Sequence, residues 1–143
     1  MGQAGPISLY ERTGESLRRA PYVWLVATIL MMLLMNGPLA LLAVPNARAN
    51  SVFSVVGVVF VSYAVVMSEL VVPRLSERLR PLGANRLVVF RWTLAACPFL
   101  FSYAAVAAGS HQWVYALGQV ASVALLVATA RRTRRAARTA ECP

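Results

Sequence analysis

Lysine and aspartate are missing from this chain altogether. All 14 basic residues are arginine and all five acidic residues are glutamate. Without aspartate, the aspartate-rich metal motifs of phospholipid-type and prenyl transferases have nothing to form them. Histidine occurs once, as His111, so haem held by two histidines of one chain is excluded. Cysteine occurs twice, Cys97 within an apolar run and Cys142 in a polar tail, with no CxxC or metal-ligand spacing. A disulfide framework, a paired-thiol oxidase and a structural zinc site are therefore not expected. No GxSxG elbow accompanies His111, and neither a P-loop nor a dinucleotide fingerprint occurs. The sequence predicts no metal and no cofactor.

Charge is scarce as well. Only 13% of residues are charged, about half of the roughly 25% usual in a soluble domain. Hydrophobic residues make up 59%, and the mean hydropathy is +0.63. These values predict an integral membrane protein. Four apolar segments stand out, over residues 22–44, 52–72, 87–108 and 112–130. Each reaches the roughly 20 residues that cross a bilayer core as a helix. The links between them, PNARANS, PRLSERLRPLGANR and GSH, are short, so each helix is expected to run antiparallel to the next. The expected fold is an all-α, up-down four-helix bundle made of two helical hairpins. Residues 1–21 form an arm before it and residues 131–143 a basic tail after it.

The arginines orient that bundle. Arg12, Arg18 and Arg19 lie in the arm, Arg74, Arg78, Arg80 and Arg86 in the middle link, and five more in the tail RRTRRAARTAECP. The other two links share only Arg48. The positive-inside rule then places both termini in the cytoplasm. Tyr22, Trp24 and Trp92 read as anchors near the inner boundary, and Trp113 and Tyr115 near the outer one. A net charge of +9 without a soluble basic domain points to anionic lipid headgroups, not nucleic acid. An arginine-only basic set is compatible with a GC-rich bacterial genome, so the expected location is a bacterial plasma (inner) membrane.

Three local features qualify this plan. Ala47-Arg48-Ala49 follows the first apolar run in the manner of a signal-peptidase site. The run is about 23 residues long, whereas a signal core is about 7–15, so a retained span is expected. In the arm, Ser8-Leu9-Tyr10-Glu11 fits a capping box, and Ile7, Tyr10, Gly14 and Leu17 share one face. A short helix on the inner membrane surface follows. Finally, spans one and three each carry an internal proline, Pro38 and Pro98, freeing the carbonyls of Leu34 and Leu94 and predicting a bend. Each is followed by a span without internal proline, which gives a faint twofold repeat.

Polar residues inside spans are the best functional pointers in such a chain. Glu69 in span two and Arg91 in span three lie at matching depth near their inner ends, which predicts an ion pair. Asn36 in span one and Gln119 in span four lie at similar depth in the outer half and can hydrogen-bond across the bundle. His111 falls in an outer link, where an interfacial role is expected. At 100° per residue, small residues line one stripe of each later span. Span two offers Ser54, Gly57, Val61, Ala64 and Ser68; span three Arg91, Ala95, Pro98, Ser102, Ala105 and Gly109; span four Gly118, Ala121, Ser122, Leu125, Ala128 and Thr129.

Two known four-span plans do not fit. The tandem hairpins resemble a doubled proton-ring subunit of a rotary ATPase in architecture only, because span four carries Gln119 where a carboxylate is required. Small multidrug exporters hold their glutamate in the first span, where this chain has none. The foremost expectation is a non-catalytic subunit or scaffold that packs with itself, as a homo-oligomer, or within a larger membrane complex. The alternatives are an oligomeric transporter or channel using Glu69, Arg91, Asn36 and Gln119, and a small enzyme on a lipophilic substrate with Glu69 as its acid or base.

Overall fold

The computed structural model describes residues 6–42, 51–78 and 83–141, and every element among them is helical. The chain runs α1 (Pro6–Arg19), α2 (Pro21–Leu42), α3 (Ser51–Val66), a π-helical turn (Met67–Val71), α4 (Val72–Arg78), α5 (Ala84–Ala107) and α6 (Gln112–Glu141). The Ala47–Ala49 motif, Arg48, Arg80 and Cys142 lie outside the described residues. Four helical stretches are long and apolar enough to cross a membrane: Pro21–Pro38, Ser51–Leu75, Ala84–Ala107 and Gln112–Ala136.

Proline and glycine set the boundaries. Pro6 and Pro21 each open a helix, where the missing N–H costs nothing and φ is already helical. Because Pro6 starts α1, Ser8 stands inside the first turn and is not the cap that the Ser8–Glu11 spacing suggested. A single residue, Ala20, separates α1 from α2, and its carbonyl accepts the N–H groups of Val23 and Trp24. Helix α5 ends at Gly109, whose φ of 101° only glycine adopts freely. There the Ser110 N–H bonds to the Ala105 carbonyl and the Gly109 N–H to that of Val106, a Schellman turn that satisfies the last carbonyls.

Two boundaries depart from the apolar segments. Helix α6 continues through the arginines to Glu141, so the basic tail is helical as far as that residue. Alanine and arginine are strong helix formers, and nothing in RRTRRAARTAE breaks the turn. At about 1.5 Å per residue the 30-residue α6 is about 45 Å long, which exceeds a bilayer core of about 30 Å. Span two likewise passes through the π turn into α4. Pro73 lacks an N–H and crowds the Glu69 carbonyl four residues back, and the helix widens immediately before it. The Val72 N–H reaches the Met67 carbonyl, five residues back.

Helices α5 and α6 form the central pair, and α3 packs against both. Helix α2 lies mainly on α6, and α1 mainly on α5. Among the described residues α2 and α3 barely touch, so the first of the two expected hairpins is not a packed pair. The cause is compositional: the small-residue stripes belong to α3, α5 and α6, whereas α2 is dominated by Leu and Met. The core joins Leu17 of α1, Leu25 and Met32 of α2, Trp92, Ala95 and Phe99 of α5, and Leu125, Leu126 and Ala130 of α6. Outward, Val23, Val26, Leu30 and Leu34 of α2 and Val52, Val55 and Val59 of α3 are exposed. Apolar faces of this extent suit lipid, since soluble monomers rarely expose them. The architecture is that expected of a multi-pass membrane protein.

Candidate functional site

Three sets of interior polar groups are built around α6, and a fourth joins α3 to the α5–α6 turn. Tyr115 and Gln119 stand four residues apart on α6 and therefore share a face. Asn36, near the end of α2, presents its Oδ1 to both. The Gln119 amide donates to Asn36 Oδ1 at 2.8 Å, and the Tyr115 hydroxyl donates to the same oxygen. Gln119 Nε2 also donates to the Tyr115 hydroxyl at 3.1 Å. Phe99 and Tyr103 enclose the Tyr115 ring, with centroids 5.9 and 6.3 Å away. The structure thus brings Asn36 and Gln119 together. Tyr115 is the member that sequence reasoning placed elsewhere, as an interface anchor; its i, i+4 relation to Gln119 was the available signal.

The second set closes the α5–α6 seam. Pro98 interrupts the bonding of α5, and the next N–H, that of Phe99, leaves its helix to donate to Ser122 Oγ of α6 at 2.8 Å. Ser102 returns its hydroxyl to the Phe99 carbonyl at 2.8 Å. Gly118 faces this interruption so closely that a Cβ there would stand 2.0 Å from Ser102 Oγ and 2.7 Å from the Pro98 carbonyl oxygen. Gly57 plays the same part between α3 and its neighbours, 2.8 Å from Val114 and 2.9 Å from Ala105 by the same measure. Ala64 and Ala95 are buried on the same inner faces, as are Ser54, Val61, Leu125 and Thr129. Ser68, Ala105, Gly109, Ala121 and Ala128 are partly buried. The stripes are therefore used within one chain.

At the end bearing the α5–α6 turn, Ser54 of α3 holds that turn in place. Its Oγ accepts the His111 backbone N–H at 3.0 Å and lies 2.9 Å from His111 Nδ1. A serine and a histidine thus meet, yet the arrangement is a clip and not a nucleophile. Ser54 is buried, and its oxygen already accepts an N–H, which draws electron density away from it.

The third set lies at the opposite, arginine-rich end. Glu69 occupies the π turn, and its carboxylate is held by Arg132 of α6 at 2.5 Å. The expected partner, Arg91, is partly buried and has no ion pair among the described residues. It stands near enough to Arg132 for the two like charges to act on each other. The exchange follows from the helical extension of α6, which carries Arg132 to the depth of Glu69. Trp92, expected as an interface anchor, is instead buried in the core beside Leu25 and Ala95. Glu77 lies on α4, and its side chain is outside the described set.

Among the described residues no cluster of three His, Cys, Asp or Glu side chains forms a metal site. Two clefts open at the arginine-rich end, of about 340 and 190 Å³, and neither is lined by Glu69, Arg91, Asn36 or Gln119. Set beside protein-family models, curated proteins and solved structures, the chain matches none of them.

Proposed function

We propose that this chain is a non-catalytic subunit or scaffold of a membrane assembly, packing with itself or with a larger complex. The observation that carries the reading is the bonding of polar groups in three helix seams to one another, although buried Trp92 Nε1, Asn85 Oδ1 and Ser110 Oγ have no hydrogen-bond partner among the described residues. Asn36, Tyr115 and Gln119 bond one another, Ser122 takes the Phe99 N–H, and Arg132 holds Glu69. Groups engaged in this way fix helices in register, which is the ordinary use of polar residues in membrane bundles. Neither of the two clefts at the arginine-rich end is lined by Glu69, whereas a lipophilic-substrate enzyme using Glu69 would need an apolar cavity touching it. The bundle is taken to sit in the plasma membrane with both termini cytoplasmic, in line with its arginine distribution.

One observation favours a second reading, that of a transport or channel component. Glu69 stands on a π-helical turn, and such turns recur at functional sites. Reconstitution separates the two. Liposomes carrying the protein, loaded with proton- or cation-sensitive dyes, are expected to leak no faster than empty ones. Light scattering in mild detergent, with the mass of bound detergent subtracted, is expected to give a protein mass of at least twice the 15.5 kDa of one chain. A leak that Glu69→Gln abolishes would favour transport, and a monomer at every concentration would contradict self-association.

A further inference from the structure

We propose that the arginine cleft between α1, α2 and α6 is a binding site for the headgroup of an anionic phospholipid, one carrying two phosphates. Three elements build it. The end of α1 supplies Arg18 and Arg19, the start of α2 supplies Pro21, Tyr22 and Val23, and α6 supplies Arg134 and Arg138. A second cleft adjoins the first, shares Tyr22, Arg134 and Arg138 with it, and adds Arg131 and Arg135.

Helical register sorts the tail for this purpose. Arg131, Arg134, Arg135 and Arg138 recur at three- and four-residue spacing and face the clefts, while Arg132 lies off that stripe and turns to Glu69. Generic attraction to a membrane surface requires no such sorting. Within the described residues Glu15 pairs with Arg19. Tyr22 gives the clefts a common wall, its ring stacked 5.1 Å from the Arg134 guanidinium.

The start of α2 adds a further attraction for anions. Its first turn holds no acidic residue, although Pro21 has no N–H and the Val23 and Trp24 N–H groups are already bonded to the Ala20 carbonyl. The positive end of a 22-residue helix therefore meets the guanidinium groups. Arginine is suited to phosphate because its planar fork donates two parallel hydrogen bonds. Two adjoining clefts with a shared wall match two linked phosphates better than one.

The apolar surroundings favour a lipid over a free phosphate. Val23 lines the larger cleft, and with Val26 and Leu30 it makes an exposed apolar strip running away along α2. A headgroup in the cleft would lay its acyl chains on that strip. Basic pockets between helices at a membrane face recognise such headgroups.

The proposal shares the membrane placement of the preceding reading but not its subunit role. The test uses the full-length chain in neutral detergent, titrated with diphosphatidylglycerol and read by native mass spectrometry. Each arginine near such a surface contributes about fivefold in affinity, so Arg134→Gln with Arg138→Gln is expected to weaken binding about 25-fold. Arg74→Gln with Arg78→Gln, which lies outside both clefts, is expected to change it less than twofold. Arg18→Gln with Arg131→Gln, one on α1 and one on α6, carries the same expected loss, which guards against misfolding of one variant. Equal losses in the cleft and control variants would overturn the site. Inorganic pyrophosphate binding as tightly as the lipid would overturn the lipid assignment. Particle size, read on the same samples, reports on the subunit role separately.

Discussion

Gly118 decides how closely α5 and α6 approach. A Cβ at this position would overlap Ser102 Oγ and the Pro98 carbonyl oxygen, and the latter is backbone that cannot swing away. Gly118→Ala is expected to destabilise the protein by about 1–3 kcal/mol, the usual cost of overpacking. Gly57→Ala is expected to cost less, because Val114 and Ala105 meet the new carbon with side-chain atoms only. Gly37 has nothing within 4 Å of its added carbon. Gly37→Ala is therefore expected to be neutral or to stabilise by up to about 1 kcal/mol through helix propensity. Thermal denaturation of the three variants in one detergent checks the order. A Gly118→Ala protein as stable as Gly37→Ala would mean that the seam is looser than its geometry.

At the scale of elements, the π turn and the end of α6 meet through one ion pair. Both side chains are partly exposed, so the pair is worth at most about 1 kcal/mol. Its value lies in setting the register of α6 against α3. A double-mutant cycle separates the two candidate partners of Glu69. Glu69→Gln with Arg132→Gln is expected to show coupling of about 0.5 kcal/mol, and Glu69→Gln with Arg91→Gln none. The reverse pattern would restore the pairing that depth matching along the sequence suggests. Legibility in the sequence divides along the same line. The four apolar runs were readable because span length is a physical requirement, and the inner faces of α3, α5 and α6 were readable from helical spacing. The partner of Glu69 was not, because it depends on where α6 stops, and a run of arginines reads as a tail although its helix propensity is high. Pro73 is the sequence's sign of the π turn, but it sits just past the apolar segment and reads as part of the link. Trp92 is buried for a related reason: an aromatic near a span end fits the interior as well as it fits the interface.

The whole molecule is a bundle locked by its own polar groups around a central α5–α6 pair, with apolar faces turned outward. Arg18, Arg19, Arg131, Arg134, Arg135 and Arg138 gather at one end, where α1, the start of α2 and the last turns of α6 converge. The central claim is that the interior is sealed. Ser102 and Ser122 are fully buried in the seam, whereas Gln112 and Arg138 are exposed at opposite ends. The direct measurement is reaction with a membrane-impermeant thiol reagent of single cysteines at these four positions, in a chain whose Cys97 and Cys142 are replaced by serine. The account expects Gln112→Cys to react from one side of the membrane and Arg138→Cys from the other. It expects Ser102→Cys and Ser122→Cys to react from neither until the protein is unfolded. Labelling of either interior cysteine in the folded protein would reveal a water-filled path and contradict it.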